Sequence, residues 1–114
     1  MKVIDVYQQY FAAECVYQGV ERRGVSVKLT AVSEEGTIRY EVSVSFFPHL
    51  TPEDFSVSYD AYAQQTLFAE QGRRSKKRDA EYLKKVPAAA DALAEALGGT
   101  IAWDKPLREA RYDG

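Results

Sequence analysis

The stretch VSVKLTAVSEEGTIRYEVSVSF, residues 25–46, decides how this chain folds. Val25, Val27, Leu29 and Ala31 alternate with Ser26, Lys28 and Thr30; after Ser33-Glu34-Glu35-Gly36 the alternation resumes as Ile38, Tyr40, Val42, Val44 and Phe46 against Arg39, Glu41, Ser43 and Ser45. Successive side chains of a strand point to opposite faces, so a period of two marks one buried face and one wet face. Gly36 tolerates positive φ at the end of the loop, and the two strands close antiparallel as a hairpin. The wet face would carry Ser26, Lys28, Thr30, Arg39, Glu41, Ser43 and Ser45, joined by Ser56 and Ser58 from a further strand.

Downstream, Pro48 and Pro52 interrupt any ladder and make residues 47–54 a loop. Phe55, Val57, Tyr59 and Ala61 then alternate with Ser56, Ser58 and Asp60, a third strand that can run on through a bulge to Leu67-Phe68. A helix starting inside 61–70 is the alternative. From about Lys76 the period changes: Tyr82, Val86, Ala90, Leu93 and Leu97 form one apolar stripe, with Ser75 as N-cap and Gly98-Gly99 as the stop. Pro87 sits inside this stripe, where it either kinks one helix or opens a second; the unbroken phase of the stripe favours a kink. Thr100-Ile101-Ala102-Trp103 reads as a short strand, with Trp103 as a lid on the core. Upstream, Val3, Val6, Tyr7, Tyr10 and Phe11 fit helical spacing, but their β-branched and aromatic character favours a strand at a sheet edge.

These elements predict a single α+β domain over residues 1–114. Its architecture is a two-layer sandwich, an antiparallel sheet of about four strands with one long kinked helix packed on one face. The 114 residues suffice to enclose one core without a metal or disulfide, and 46% hydrophobic with 28% charged residues is a globular composition. A lone cysteine, Cys15, forms no internal disulfide, no secretory leader is read at the start, and no run approaches the roughly 20 apolar residues of a membrane span. The expected setting is the cytoplasm, with no membrane contact.

Formal net charge is -2, yet Arg73, Arg74, Lys76, Lys77 and Arg78 fall within six residues, broken only by Ser75. Set those five aside and 10 Lys and Arg face 17 Asp and Glu. A positive block on an acidic body is where an anionic partner would be drawn in. Its cations oppose the dipole of the helix they precede, so helix stability does not account for them; a solvated connector, with Asp79 and Glu81 partly neutralising it, is the competing reading.

Catalytic equipment is not legible. His49 is the only histidine, with Glu53 and Asp54 nearby and Asp60 beyond, and neither a nucleophile–histidine spacing nor a set of three or four metal ligands accompanies it. Cys15 has no adjacent cation to activate it, and the pairs Glu34-Glu35 and Glu53-Asp54 lie in turns. Tyr112, Arg108 and Arg111 would extend the basic block if the tail folded back. The sequence therefore points to a small non-enzymatic binding or regulatory protein, without metal or cofactor, docking onto a larger macromolecule through Arg73, Arg74, Lys76, Lys77 and Arg78. A protein partner is favoured, and an inhibitor or accessory factor carried by a mobile element falls within this class. Nucleic acid bound at the same segment is the alternative, and an enzyme built around His49, Glu53, Asp54 and Asp60 is the third reading. Dimerisation through an exposed strand edge stays open.

Overall fold

The computed structural model describes residues 1–15, 23–47 and 61–103. Among these residues five strands form one antiparallel sheet: β1 (Lys2–Cys15), β2 (Arg23–Glu34), β3 (Thr37–Phe47), β4 (Ala61–Gln71) and β5 (Gly99–Ala102), in the spatial order β4-β3-β2-β1-β5. Two helices, α1 (Lys76–Leu83) and α2 (Val86–Ala96), join β4 at one edge to β5 at the other and cover one face.

The hairpin of residues 25–46 is present, and tighter than its sequence suggests. Pairing continues to Glu34 opposite Thr37, which leaves only Glu35 and Gly36 in the connection. Both have positive φ, 49° and 79°. That is the backbone of a type I′ turn, whose twist matches that of the strands it joins. Along β3 every second residue is buried, so Ile38, Tyr40, Val42, Val44 and Phe46 face the helices while Arg39, Glu41, Ser43 and Ser45 face away.

The N-terminal segment is a strand, as its composition favours. Its helix-like spacing has a physical source: Asp5 pairs with Thr30 and Tyr7 with Leu29, so Val6 is an extra residue in a bulge. Val6 and Tyr7 are both buried, which breaks the period of two at that point. A second bulge lies in β4, where Tyr40 faces Phe68 and Glu41 faces Thr66, leaving Leu67 as the extra residue. This is the bulge anticipated near Leu67-Phe68, and it removes the alternative of a helix within 61–70. The alternation Phe55–Tyr59, the loop from Pro48 onward, and Ser56 and Ser58 lie outside the described residues.

Two corrections to the expected architecture follow. The sheet has five strands rather than four, because both the N-terminal segment and the short strand after the helices join it. The single kinked helix is two helices, broken at Lys84-Lys85, with Pro87 in the first turn of α2. Proline there lacks only a donor that has no intrahelical acceptor, so it opens a helix at little cost. The apolar stripe stays in phase because both helices lie on the same sheet face: Tyr82, Val86, Ala90 and Ala94 are buried, with Leu93 and Leu97 packed at the margin. Gly98, at φ 82°, ends α2 in the left-handed conformation. Trp103 caps the far end of the core, edge-on to Phe11 at 4.8 Å, with its indole N–H donating to Asp91 of α2 at 2.8 Å.

Candidate functional site

The basic segment runs from the connector after β4 into the first turn of α1, and its five cations separate into two groups. Ser75 is the N-cap of α1, its hydroxyl accepting from the Arg78 backbone N–H at 3.1 Å. With that cap in place, Asp79 occupies the first turn of α1 and is fully buried. Arg74 turns inward to meet it, with Nε and Nη2 each 3.0 Å from Asp79 Oδ2, while the Tyr40 hydroxyl donates to Oδ1 at 2.5 Å. Burial, and then the adjoining Asp79 carboxylate, push the Tyr40 phenol well above the ordinary tyrosine range. Arg78 folds back as well, 3.2 Å from Glu70, donating to the Arg73 carbonyl at 2.8 Å, and lying 5.6 Å over the Phe68 ring. Gly72 makes room for it, since a Cβ at that position would stand 2.7 Å from Arg78 Nη1.

Arg74 and Arg78 thus hold α1 on the sheet. Beneath them Tyr40 and Tyr82 stack at 4.8 Å and Phe68 and Tyr82 at 4.9 Å. The neutralising acids are Asp79, as anticipated, and Glu70 rather than Glu81. Tyr82 is in the core, and burial, followed by Glu81 and Glu70, raises its phenol too.

Arg73, Lys76 and Lys77 remain exposed. Arg73 and Lys76 share a concavity of about 430 Å³ with Arg74, Ser75, Ser33 and, from the start of β1, Lys2 and Ile4; among the described residues no carboxylate lines it. Lys2 is a member that sequence spacing alone could not supply, because only the pairing of Lys2 with Ser33 brings the first strand to this end of the sheet. The positive surface is bounded on one side by acids: the Gly72 N–H donates to the Gly36 carbonyl at 2.9 Å, which sets the exposed Glu34-Glu35 turn beside the connector.

Along the face away from the helices, from this sheet end to the other, runs a second concavity of about 370 Å³. Met1, Val3 and Val32 line one end of it and Phe47 and Tyr62 the other, with Ser26, Thr30, Ser43 and Ser45 between. Two ion pairs cross it, Lys28–Asp5 at 3.1 Å and Arg39–Glu41 at 3.2 Å; the Arg39 Nε is buried and not aligned for a hydrogen bond. The exposed large hydrophobic side chains among the described residues, Met1 (83%), Val3 (54%) and Tyr62 (44%), all line this one concavity. The face, read from sequence as wet or weakly sticky toward another sheet, is amphipathic. Its alternating serines gave no sign of this, since the apolar members come from the ends of four different strands.

Among the described residues no group of three or more His, Cys, Asp and Glu side chains converges as a metal site would, and no helix is long and apolar enough to cross a membrane. His49, Glu53, Asp54 and Asp60, and the tail residues Arg108, Arg111 and Tyr112, lie outside the described residues, as does the Cys15 side chain. Compared with protein-family models, with curated proteins and with solved structures, the chain matches none.

Proposed function

We propose that this is a non-enzymatic binding protein that docks the end of its sheet onto an acidic, partly apolar surface of a partner protein. The contact residues are Lys2, Arg73, Lys76 and Lys77, with Met1 and Val3 beside them. One observation carries the reading: cations from β1, from the connector and from the start of α1 converge on a concavity lined by no carboxylate among the described residues, which adjoins the exposed Met1–Val3 corner across the paired residues Val3 and Val32. Interfaces combine an apolar centre with a polar rim rich in Arg, and charge complementarity at the rim speeds encounter. A regulator, inhibitor or assembly subunit, including one carried by a mobile element, would all use such a surface.

Nucleic acid is the alternative occupant. An extended polyanion prefers an uninterrupted positive track, and here Glu34, Glu35 and Glu70 flank the connector while Arg74 and Arg78 are engaged internally. Protein is the better fit to that mixed rim.

The test is affinity capture from native host extract with the intact protein and with a Lys2→Gln, Arg73→Gln, Lys76→Gln, Lys77→Gln variant, each with and without nuclease. A specific protein retained by the intact chain, lost by the variant and indifferent to nuclease is the expected result. Equal recovery by both chains, or a nuclease-sensitive capture, overturns it in favour of another surface or of nucleic acid.

A further inference from the structure

We propose that the outer edge of β4 pairs with the same edge of a second copy, joining two sheets antiparallel across a two-fold axis. Among the described strands β4 closes the sheet on the side opposite β5. Every residue along it is exposed or half-buried, whereas in its neighbour β3 every second residue is buried. An edge strand presents a row of unpaired N–H and C=O groups, and monomeric proteins guard such rows with lysine, proline, bulges or a covering element. β1, β2 and β3 all carry charged side chains along their length, yet Ala61–Ala69 contains no charged residue and no proline. Among the described residues one guard is present, the bulge at Leu67, and it protects only the C-terminal part of the strand. From Ala61 to Thr66 the strand pairs regularly with Phe46 to Glu41, and no described strand lies along its other side.

Symmetry identifies the occupant. In a two-fold contact residues near the axis meet their own counterparts, so a charge there would face its like. A nine-residue neutral run meets that condition. A foreign strand imposes no such requirement, and its edge could be matched by charges of opposite sign. Gln65, exposed in the middle of the run, suits self-pairing because a carboxamide both donates and accepts hydrogen bonds. The stretch lies at the far end of β4 from the basic connector, so this proposal stands apart from the docking surface above. A contact of this length is small beside the roughly 1,600 Å² of a standard stable interface, which makes the dimer a reversible one.

Sedimentation equilibrium of the intact protein from about 10 μM to about 1 mM, a range that brackets weak association, should show a monomer–dimer equilibrium. Gln65→Lys and Gln65→Glu, made separately and checked for unchanged circular dichroism, should each weaken the dimer at least tenfold, and an equimolar mixture of the two should restore it as a mixed dimer. Should either variant perturb folding, Thr66→Lys and Thr66→Glu, at the next exposed position, serve the same purpose. A monomer throughout the range, a dimer indifferent to both substitutions, or a mixture that fails to re-associate overturns the proposal.

Discussion

Asp79 has no solvent contact, and its carboxylate is met by the Tyr40 hydroxyl on one oxygen and by two guanidinium nitrogens of Arg74 on the other. A buried ion pair need not stabilise relative to an apolar pair, but removing one partner strands the other. Asp79→Ala is therefore expected to lower unfolding stability by about 3–5 kcal/mol in urea titrations, against about 1–3 kcal/mol for Tyr40→Phe, which leaves the ion pair intact. The same cluster sets an alkaline limit. Tyr40 and Tyr82 both hold their protons more tightly folded than unfolded. Below the free-tyrosine value of 10.0 their contribution is fully present; above it the unfolded chain ionises first, so stability falls as pH rises toward the folded-state values. Unfolding free energies from denaturant titrations at increasing pH should decline beyond about pH 10, by up to about 1.4 kcal/mol per pH unit for Tyr40, and Tyr40→Phe should flatten the slope.

At the level of elements, the connection between the helices shows how a proline is read correctly in kind and misplaced in consequence. A proline in a helix interior costs about 3 kcal/mol, and the unbroken stripe from Tyr82 to Leu97 suggested that one helix absorbed this as a kink. Lys84 is instead the C-cap of α1 and Lys85 the N-cap of α2, and Pro87 falls in the first turn of α2, where no bond is lost. Pro87→Ala should then neither fuse the helices nor add helix signal in far-UV circular dichroism, and should change stability by less than about 1 kcal/mol. An increase in helix content would restore the single-helix reading. The bulges make a similar point for strands: at Val6 and Leu67 one extra residue turns two neighbours toward the core, which mimics helical spacing in a sequence that is extended.

Over the whole molecule, the sheet end gathers groups distant in sequence: Met1, Lys2 and Val3 at the start of β1, the Glu34–Gly36 turn, the connector at residues 72–75 and Lys76 at the start of α1. Two kinds of cation meet there, and stability separates them. The variant neutralising Lys2, Arg73, Lys76 and Lys77 should keep the thermal midpoint of the intact protein, as exposed charges contribute about 0–1 kcal/mol each. Arg74→Gln, by contrast, should lower it through Asp79. A partner lost with the first variant while the fold persists would mark the outer cations as a contact surface, whereas loss only with the second would mark the segment as a strut.

Period two over residues 25–46, the N-cap at Ser75 and the glycine stop at Gly98 were readable from sequence because each depends on neighbours within one element. Charge clustering at Arg73–Arg78 was readable for the same reason. Which of those cations face solvent was not, because Arg74 is claimed by a carboxylate whose burial depends on Tyr40 across the sheet, and Arg78 by Glu70 on β4. Lys2, Met1 and Val3 joined the site only through the β1–β2 register. Spacing along the chain determines which face each residue occupies; only the packing of strands and helices determines which charges turn inward onto the chain's own acids and which face solvent.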